Sequence, residues 1–202
     1  MTIIFKLEPR NVFTRSSDGK VIFTYSDIES LPEWPETPVV EIIGGDLFMA
    51  PSPTVNHQRI SGELAFLLKD HVKKNDLGEI LSAPVDVVFS ELDVCVPDIL
   101  FISKERNYIL TKKNVQGTPD LIIEILSSNR DLDLVRKKAI YEKYGVMEYW
   151  IVDPEEKKIQ VHIMSKNNKQ FNPPVIYTEN DVVPGTVIPS FRIHVKNIFK
   201  ST

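Results

Sequence analysis

Short β-branched runs, each bounded by glycine, proline or a polar cluster, dominate the apolar pattern of this chain. Val39-Val40-Glu41-Ile42-Ile43, Gly44-Gly45-Asp46 and Leu47-Phe48-Met49 read as a hairpin with a glycine turn. After the Pro51-Ser52-Pro53 breaker, Thr54 or Asn56 can cap a helix running to about Lys74. Its apolar stripe is Ile60, Leu64, Leu67 and Leu68, and Gly78 ends the segment. Val85 to Phe89 and residues 94–102 read as paired strands around a Ser90-Glu91-Leu92-Asp93 turn. A polar stretch from Lys104 to Gln116, then Gly117-Thr118-Pro119, leads into a strand at 120–126. Ser127-Ser128-Asn129 can cap a helix from about Asp131 to Tyr144, which Gly145 stops. Glu148 to Val152 is another strand, and Ile159 to Met164 completes a hairpin beyond Asp153-Pro154. Further short strands are expected near 175–177 and 187–195.

From residue 54 the order is helix, three strands, helix, strand. A strand–helix–strand unit implies one parallel crossover, and the antiparallel pair before it makes the sheet mixed. The expected class is α/β, with a mixed central β-sheet flanked by helices and β elaborations at both ends. Residues 1–38 form the N-terminal elaboration, punctuated by Pro32, Pro35 and Pro38, with one helix start at Ser26-Asp27-Ile28-Glu29. Residues 39–202 form the domain proper, and a length of 202 residues suits a single domain overall.

Two acids break the apolar pattern. Asp98 sits in the run from Val94 to Ile102, and Glu124 in Leu121-Ile122-Ile123-Glu124-Ile125-Leu126. Runs like these suit strands covered on both faces, where an ionised carboxylate costs several kcal/mol unless it is paired, hydrogen-bonded or metal-bound. A basic segment follows, with Arg130, Arg136, Lys137 and Lys138. Two carboxylates and a lysine are the ingredients of metal-dependent phosphodiester hydrolysis: the cation lowers the pKa of the attacking water, and the ammonium steadies charge building on the phosphate. Magnesium needs only one or two carboxylates beside water and phosphate oxygens. Lys137 has Leu134, Tyr141 and Tyr144 at i−3, i+4 and i+7, so it lies on a stripe of large side chains. Lys138 shares two of those neighbours, and spacing alone does not choose between them.

Each residue has a plainer reading. Asp98 would terminate a strand after Pro97, and Glu124 would pair with Arg130 or Arg136. Glu63 is either a third carboxylate or a solvated residue, His57 either a phosphate contact or a capping and packing histidine. Asp86 can face the site or solvent, because strand alternation permits both.

Composition narrows the field. A hydrophobic fraction of 42% and a charged fraction of 26% are ordinary for a globular protein. The net charge of −4 provides no global basic field, so nucleic-acid contact must rest on a local patch and a bound cation. The single cysteine, Cys95, excludes a disulfide framework and a cysteine zinc site. His57, His71, His162 and His194 have no metal-ligand spacing, and neither a phosphate-binding glycine loop nor a Gly-x-Ser-x-Gly elbow is present. No apolar run approaches the roughly 18 residues of a membrane span and no signal-peptide pattern opens the chain, so the expectation is a cytoplasmic protein without a membrane partner.

Pro97-Asp98, followed by Glu124 within Pro119-Asp120-Leu121-Ile122-Ile123-Glu124-Ile125-Leu126-Ser127, resembles the PD-(D/E)xK nuclease superfamily. More narrowly, the chain is similar to the bacterial Uma-two family of restriction-endonuclease-like proteins. That pattern also takes in Ser52-Pro53, His57-Gln58, Lys137 through Tyr141, and Gly145-Val146-Met147-Glu148-Tyr149-Trp150-Ile151-Val152-Asp153-Pro154, covering roughly residues 39–195. The resemblance implies a restriction-endonuclease-like core with Asp98 and Glu124 as ligands of Mg2+ or Mn2+. It departs at Leu126, which stands where the superfamily carries lysine, so Lys137 is the implied substitute, expected to be partly exposed and of little weight in folding. The expected activity is endonucleolytic cleavage of DNA by a homodimer, with Trp34 and the proline-rich N-terminal elaboration as a contact surface. The alternative is a non-catalytic module that keeps the fold and binds nucleic acid or a protein.

Overall fold

Pro97 splits the apolar run that looks like one strand. In the computed structural model, which describes residues 14–15, 19, 21–29, 39–49, 52–127, 132–167 and 169–199, Asp93–Cys95 joins one sheet and Ile99–Ser103 another. A proline has no N–H to give a ladder, so pairing stops there and the chain crosses between sheets. Asp98 therefore lies at the crossing, immediately before a strand rather than inside one.

The central sheet has six strands in the order Val175–Tyr177, Lys158–Ile163, Glu148–Asp153, Leu121–Ile125, Ile99–Ser103 and Gly78–Ser82. Only Leu121–Ile125 and Glu148–Asp153 pair in parallel, across the expected helical crossover; the remaining pairs are antiparallel. Gly78 opens a strand instead of ending a helix. A Cβ there would stand 2.1 Å from the Ile102 carbonyl oxygen, and its φ is 144°, so glycine allows the edge strand to close on its neighbour. The second sheet runs Asp46–Met49, Val40–Ile43, Asp93–Cys95, Val87–Ser90 and Val115–Gln116. The polar stretch thus supplies a 3-10 turn, Lys104–Ile109, and a two-residue strand too short to show a period.

Strand alternation sorts the central side chains onto two faces. Leu121, Ile123 and Ile125 join Ile60, Leu64 and Leu68 of the long helix Val55–Lys74, which Thr54 caps by accepting the His57 N–H at 3.2 Å. Ile122, with Leu100, Tyr149 and Ile151, packs instead against Ile140 and Tyr141 of a second helix and against Val87 and Cys95 of the second sheet. Glu124 shares that parity, so it faces this second layer. The helix expected over 131–144 is a π-helical turn, Leu132–Lys137, continued by the α-helix Lys138–Tyr144. Gly145 ends it in the left-handed region, φ 78°, donating to Glu142 O. The proposed caps Ser128 and Asn129, with Arg130, lie outside the described residues, as do Pro32, Trp34, Pro35 and Pro38.

Near the C-terminus, Val182–Pro184 pairs with Arg192–His194, so the strand expected near 187–195 narrows to three residues, and the helix Val195–Ile198 follows it. Glu148, fully buried, holds this segment by accepting from the Thr186 and Val187 N–H groups and the Trp150 indole, at 2.7–2.8 Å. Burial outweighs those bonds and raises its pKa above the ordinary carboxylate value. Among the described residues no helix is long and apolar enough to cross a membrane.

His162 is 3% exposed, stacked on Tyr149, and neither ring nitrogen has a hydrogen-bond partner. Burial first, then nearby Lys138, lowers its pKa from 6.5 to about 4. The native state then binds fewer protons than the unfolded chain between those values, so stability falls as pH drops from about 6.5 to about 4, by at most roughly 3 kcal/mol. In urea unfolding across that range, His162→Phe should flatten this part of the slope; an unchanged slope would show that other groups produce it.

Candidate active site

Five segments meet around the C-terminal end of the strand that carries Glu124. Glu124 comes from the strand Leu121–Ile125, Asp98 from the crossing, and Glu41 from Val40–Ile43 in the second sheet. Lys137 and Tyr141, one helical turn apart, come from the crossover helix, and His57 from the first turn of the long helix. The Lys137 ammonium lies 3.1 Å from Glu124 Oε1 and 3.0 Å from Glu41 Oε1. The Tyr141 hydroxyl donates to the same Glu124 oxygen at 2.5 Å. Burial raises the pKa of this phenol well above the usual value, and the Glu124 carboxylate adds to the effect, so Tyr141 remains a donor. Cys95 is pushed up likewise, by burial and then by Glu41, which leaves an inert thiol.

The proline break explains why two acids are tolerated here. Ile123 pairs with Ile99, so continuing the register places Ile125 opposite Pro97. Asp98 Oδ2 takes the Ile125 N–H at 2.7 Å and approaches His57 Nε2 at 3.2 Å. Val96, also out of the ladder, donates its N–H to Glu41 Oε1 at 2.8 Å. Backbone donors released by the break are thus satisfied by carboxylates.

The residues singled out from the sequence divide clearly. Glu124 and Lys137 touch, and Asp98 is bonded to the amide that follows Glu124. Lys138, half-exposed, is the lysine turned out of the pocket. Glu63 is solvent-exposed on the long helix and supplies no third carboxylate to the pocket. His57 is neither only a cap nor only packing, since its ring reaches Asp98. Asp86 lies half-buried beside Lys113 and Tyr25, with burial raising its pKa. Arg136 lies over the Phe48 ring, 5.0 Å from its centroid. The missed residue is Glu41, 1% exposed, although Val39-Val40-Glu41-Ile42-Ile43 carries the same signal as the other two acids: a carboxylate inside a β-branched run.

Lys137 is 5% exposed, so the expectation of a partly exposed lysine of little structural weight is overturned. The helix is drawn against the sheet by two carboxylates that share one ammonium.

Glu41 and Glu124 share one ammonium, and Asp98, bonded to the Ile125 N–H, meets one imidazole, so formal negative charge exceeds positive among these residues. Hard oxygen donors with unbalanced charge fit Mg2+ or Mn2+. Among the described residues no three or more His, Cys, Asp or Glu are grouped so that they could hold a metal ion, so an ion here would rest on at most two carboxylates, with water and substrate oxygens completing its shell.

Removing the shared ammonium would leave Glu41 and Glu124 buried against each other. Lys137→Ala should cost about 3–5 kcal/mol in urea unfolding, the usual result of breaking a buried ion pair from one side. Glu41→Gln in the same chain should recover part of the loss, because the two changes are coupled. A loss below about 1 kcal/mol would mean that the contact has little energetic weight.

Residues 26–196 match the Uma2 family, described as "Putative restriction endonuclease". Among solved structures, a putative nuclease belonging to DUF820 from Anabaena variabilis ATCC 29413 superposes with a TM-score of 0.73. It is 21% identical, and the alignment covers 88% of this chain and 97% of that one. The likeness extends to the fold. No curated protein matches the chain.

Proposed function

We propose, for a chain that belongs to the Uma2 family of putative restriction endonucleases, that it is a Mg2+- or Mn2+-dependent endonuclease hydrolysing phosphodiester bonds in DNA. The observation that carries this reading is the buried Lys137 ammonium held between Glu124 and Glu41, with Asp98 bonded to the amide that follows Glu124. Leu126 occupies the place of the superfamily lysine and packs in the same core cluster as Tyr141, so the helix supplies the cation that this strand position does not. Asp98 and Glu124 would hold the metal, with water and phosphate oxygens completing its coordination. The metal would polarise the phosphate and acidify the attacking water. Lys137 would orient that water or balance charge on the phosphate oxygens, and Tyr141 fixes the direction of Glu124. His57 holds the second carboxylate from the opposite side.

Lys137 is buried against Glu124 rather than turned to solvent, which is the arrangement that the hydrolytic reading requires. We also propose a homodimer, since a duplex offers two strands to paired sites. Light scattering at working concentration should give twice the chain mass; a monomer alone removes this part of the proposal.

The central test is cleavage of supercoiled plasmid with Mg2+, Mn2+ or EDTA. Activity should require the cation, and Asp98→Asn and Glu124→Gln should each lower it about 10²–10³-fold while circular dichroism stays native. Lys138→Ala should cut at the wild-type rate. Cleavage in EDTA, or full activity in Asp98→Asn, would overturn the assignment.

A further inference from the structure

We infer that Arg136, held over the Phe48 ring, is a phosphate clamp that takes the nucleic-acid backbone beside the scissile phosphate; this rests on the nuclease reading above. Phe48 stands directly opposite Glu41 in the hairpin ladder. Directly opposed residues of an antiparallel pair project to the same face, so Phe48 lies next to the pocket that Glu41 lines. Arg136 immediately precedes Lys137, and where Lys137 turns inward to Glu41 and Glu124, Arg136 is exposed and turns outward over that ring. The pair thus forms the rim of the pocket where the crossover helix meets the hairpin.

The chemistry of the pair suits a backbone anion. A cation–π contact with an aromatic face restrains the guanidinium and leaves its N–H groups available for two parallel bonds to a phosphate. Among the described residues, Arg136 makes no ion pair with a carboxylate, and its recorded contact is the Phe48 ring. With three carboxyl groups inside the pocket and a net charge of −4 over the chain, a polyanion gains most from a fixed cation at this mouth. Phe48 is half-buried against the core, so the platform is set before the ligand arrives.

Binding is tested without cleavage, by fluorescence anisotropy of a labelled DNA duplex in Ca2+ at several salt concentrations. Arg136→Ala should weaken binding roughly tenfold and reduce the slope of log K against log[salt] by about one. Phe48→Leu keeps the charge but removes the platform, so it should weaken binding with the slope nearly unchanged. Arg136→Lys should behave likewise. Wild-type affinity and slope in Arg136→Ala would overturn the clamp and leave the hydrolytic assignment standing. A wild type that binds with these variant effects but cuts nothing would support the clamp and remove hydrolysis. A wild type that binds no duplex would overturn both.

Discussion

The pocket depends on one missing amide hydrogen. Pro97 cannot donate to a ladder, so the chain leaves one sheet after Cys95 and enters the other at Ile99. A clean crossing would leave the Val96 and Ile125 N–H groups buried and unpaired. Glu41 and Asp98 accept them, which gives two carboxylates a structural reason to be inside the protein. Charge-assisted bonds of this kind are stronger than the ladder bonds they replace, and they aim both acids at the seam between sheets. The site is therefore a product of how the sheets are joined.

Placing a lysine between buried acids resolves a second problem. Glu41 and Glu124, 1% and 2% exposed, would repel each other across a low-dielectric gap. Lys137 bridges them, and Tyr141 donates a further bond to Glu124. A similar arrangement recurs on the same face of the second sheet, where Asp93 is buried. Burial pushes Asp93 up, but bonds from Lys143, the Gly44 N–H and Tyr144 outweigh it and hold its carboxyl below the ordinary value. Both sets tie the crossover helix to the second sheet. They differ in exposure at the cation: Lys143 reaches in from solvent, whereas Lys137 is enclosed.

Much of this was legible in the sequence because apolar periodicity and breakers act locally. The hairpin at Gly44-Gly45, the long helix under Thr54, the Glu124 strand and the Gly145 stop follow from propensity and turn chemistry alone. What escaped depends on contacts distant in sequence. The strand Gly78–Ser82 exists because a glycine admits the Ile102 carbonyl, and Val115–Gln116 because it docks beside Val87 and Val88. In the site, Asp98, Glu124 and Lys137 were readable as charges out of place. Glu41 had the same signature, but only the crossing of two sheets brings it to Lys137. The burial of Lys137 was not readable either, since its partners lie 96 and 13 residues away (137 minus 41, and 137 minus 124).

The same charges serve folding and the proposed chemistry, and the two uses pull in opposite directions. Folding is best served when every carboxylate is matched by a cation, because unbalanced charge in a dry site is expensive. Binding a metal and a phosphate requires an imbalance held open until they arrive. The observed set lies between these limits: three carboxyl groups, one ammonium, one imidazole, and backbone or phenolic donors absorbing the remainder. Neutral donors lower the cost of burying the acids without cancelling their charge. On the proposed reading, a pocket built in this way would stay negative enough to hold a divalent cation, with Lys137 beside it as a positive charge for the substrate phosphate. On this view Leu126 removes nothing essential: moving the ammonium from strand to helix lets it also bind the second sheet to the first.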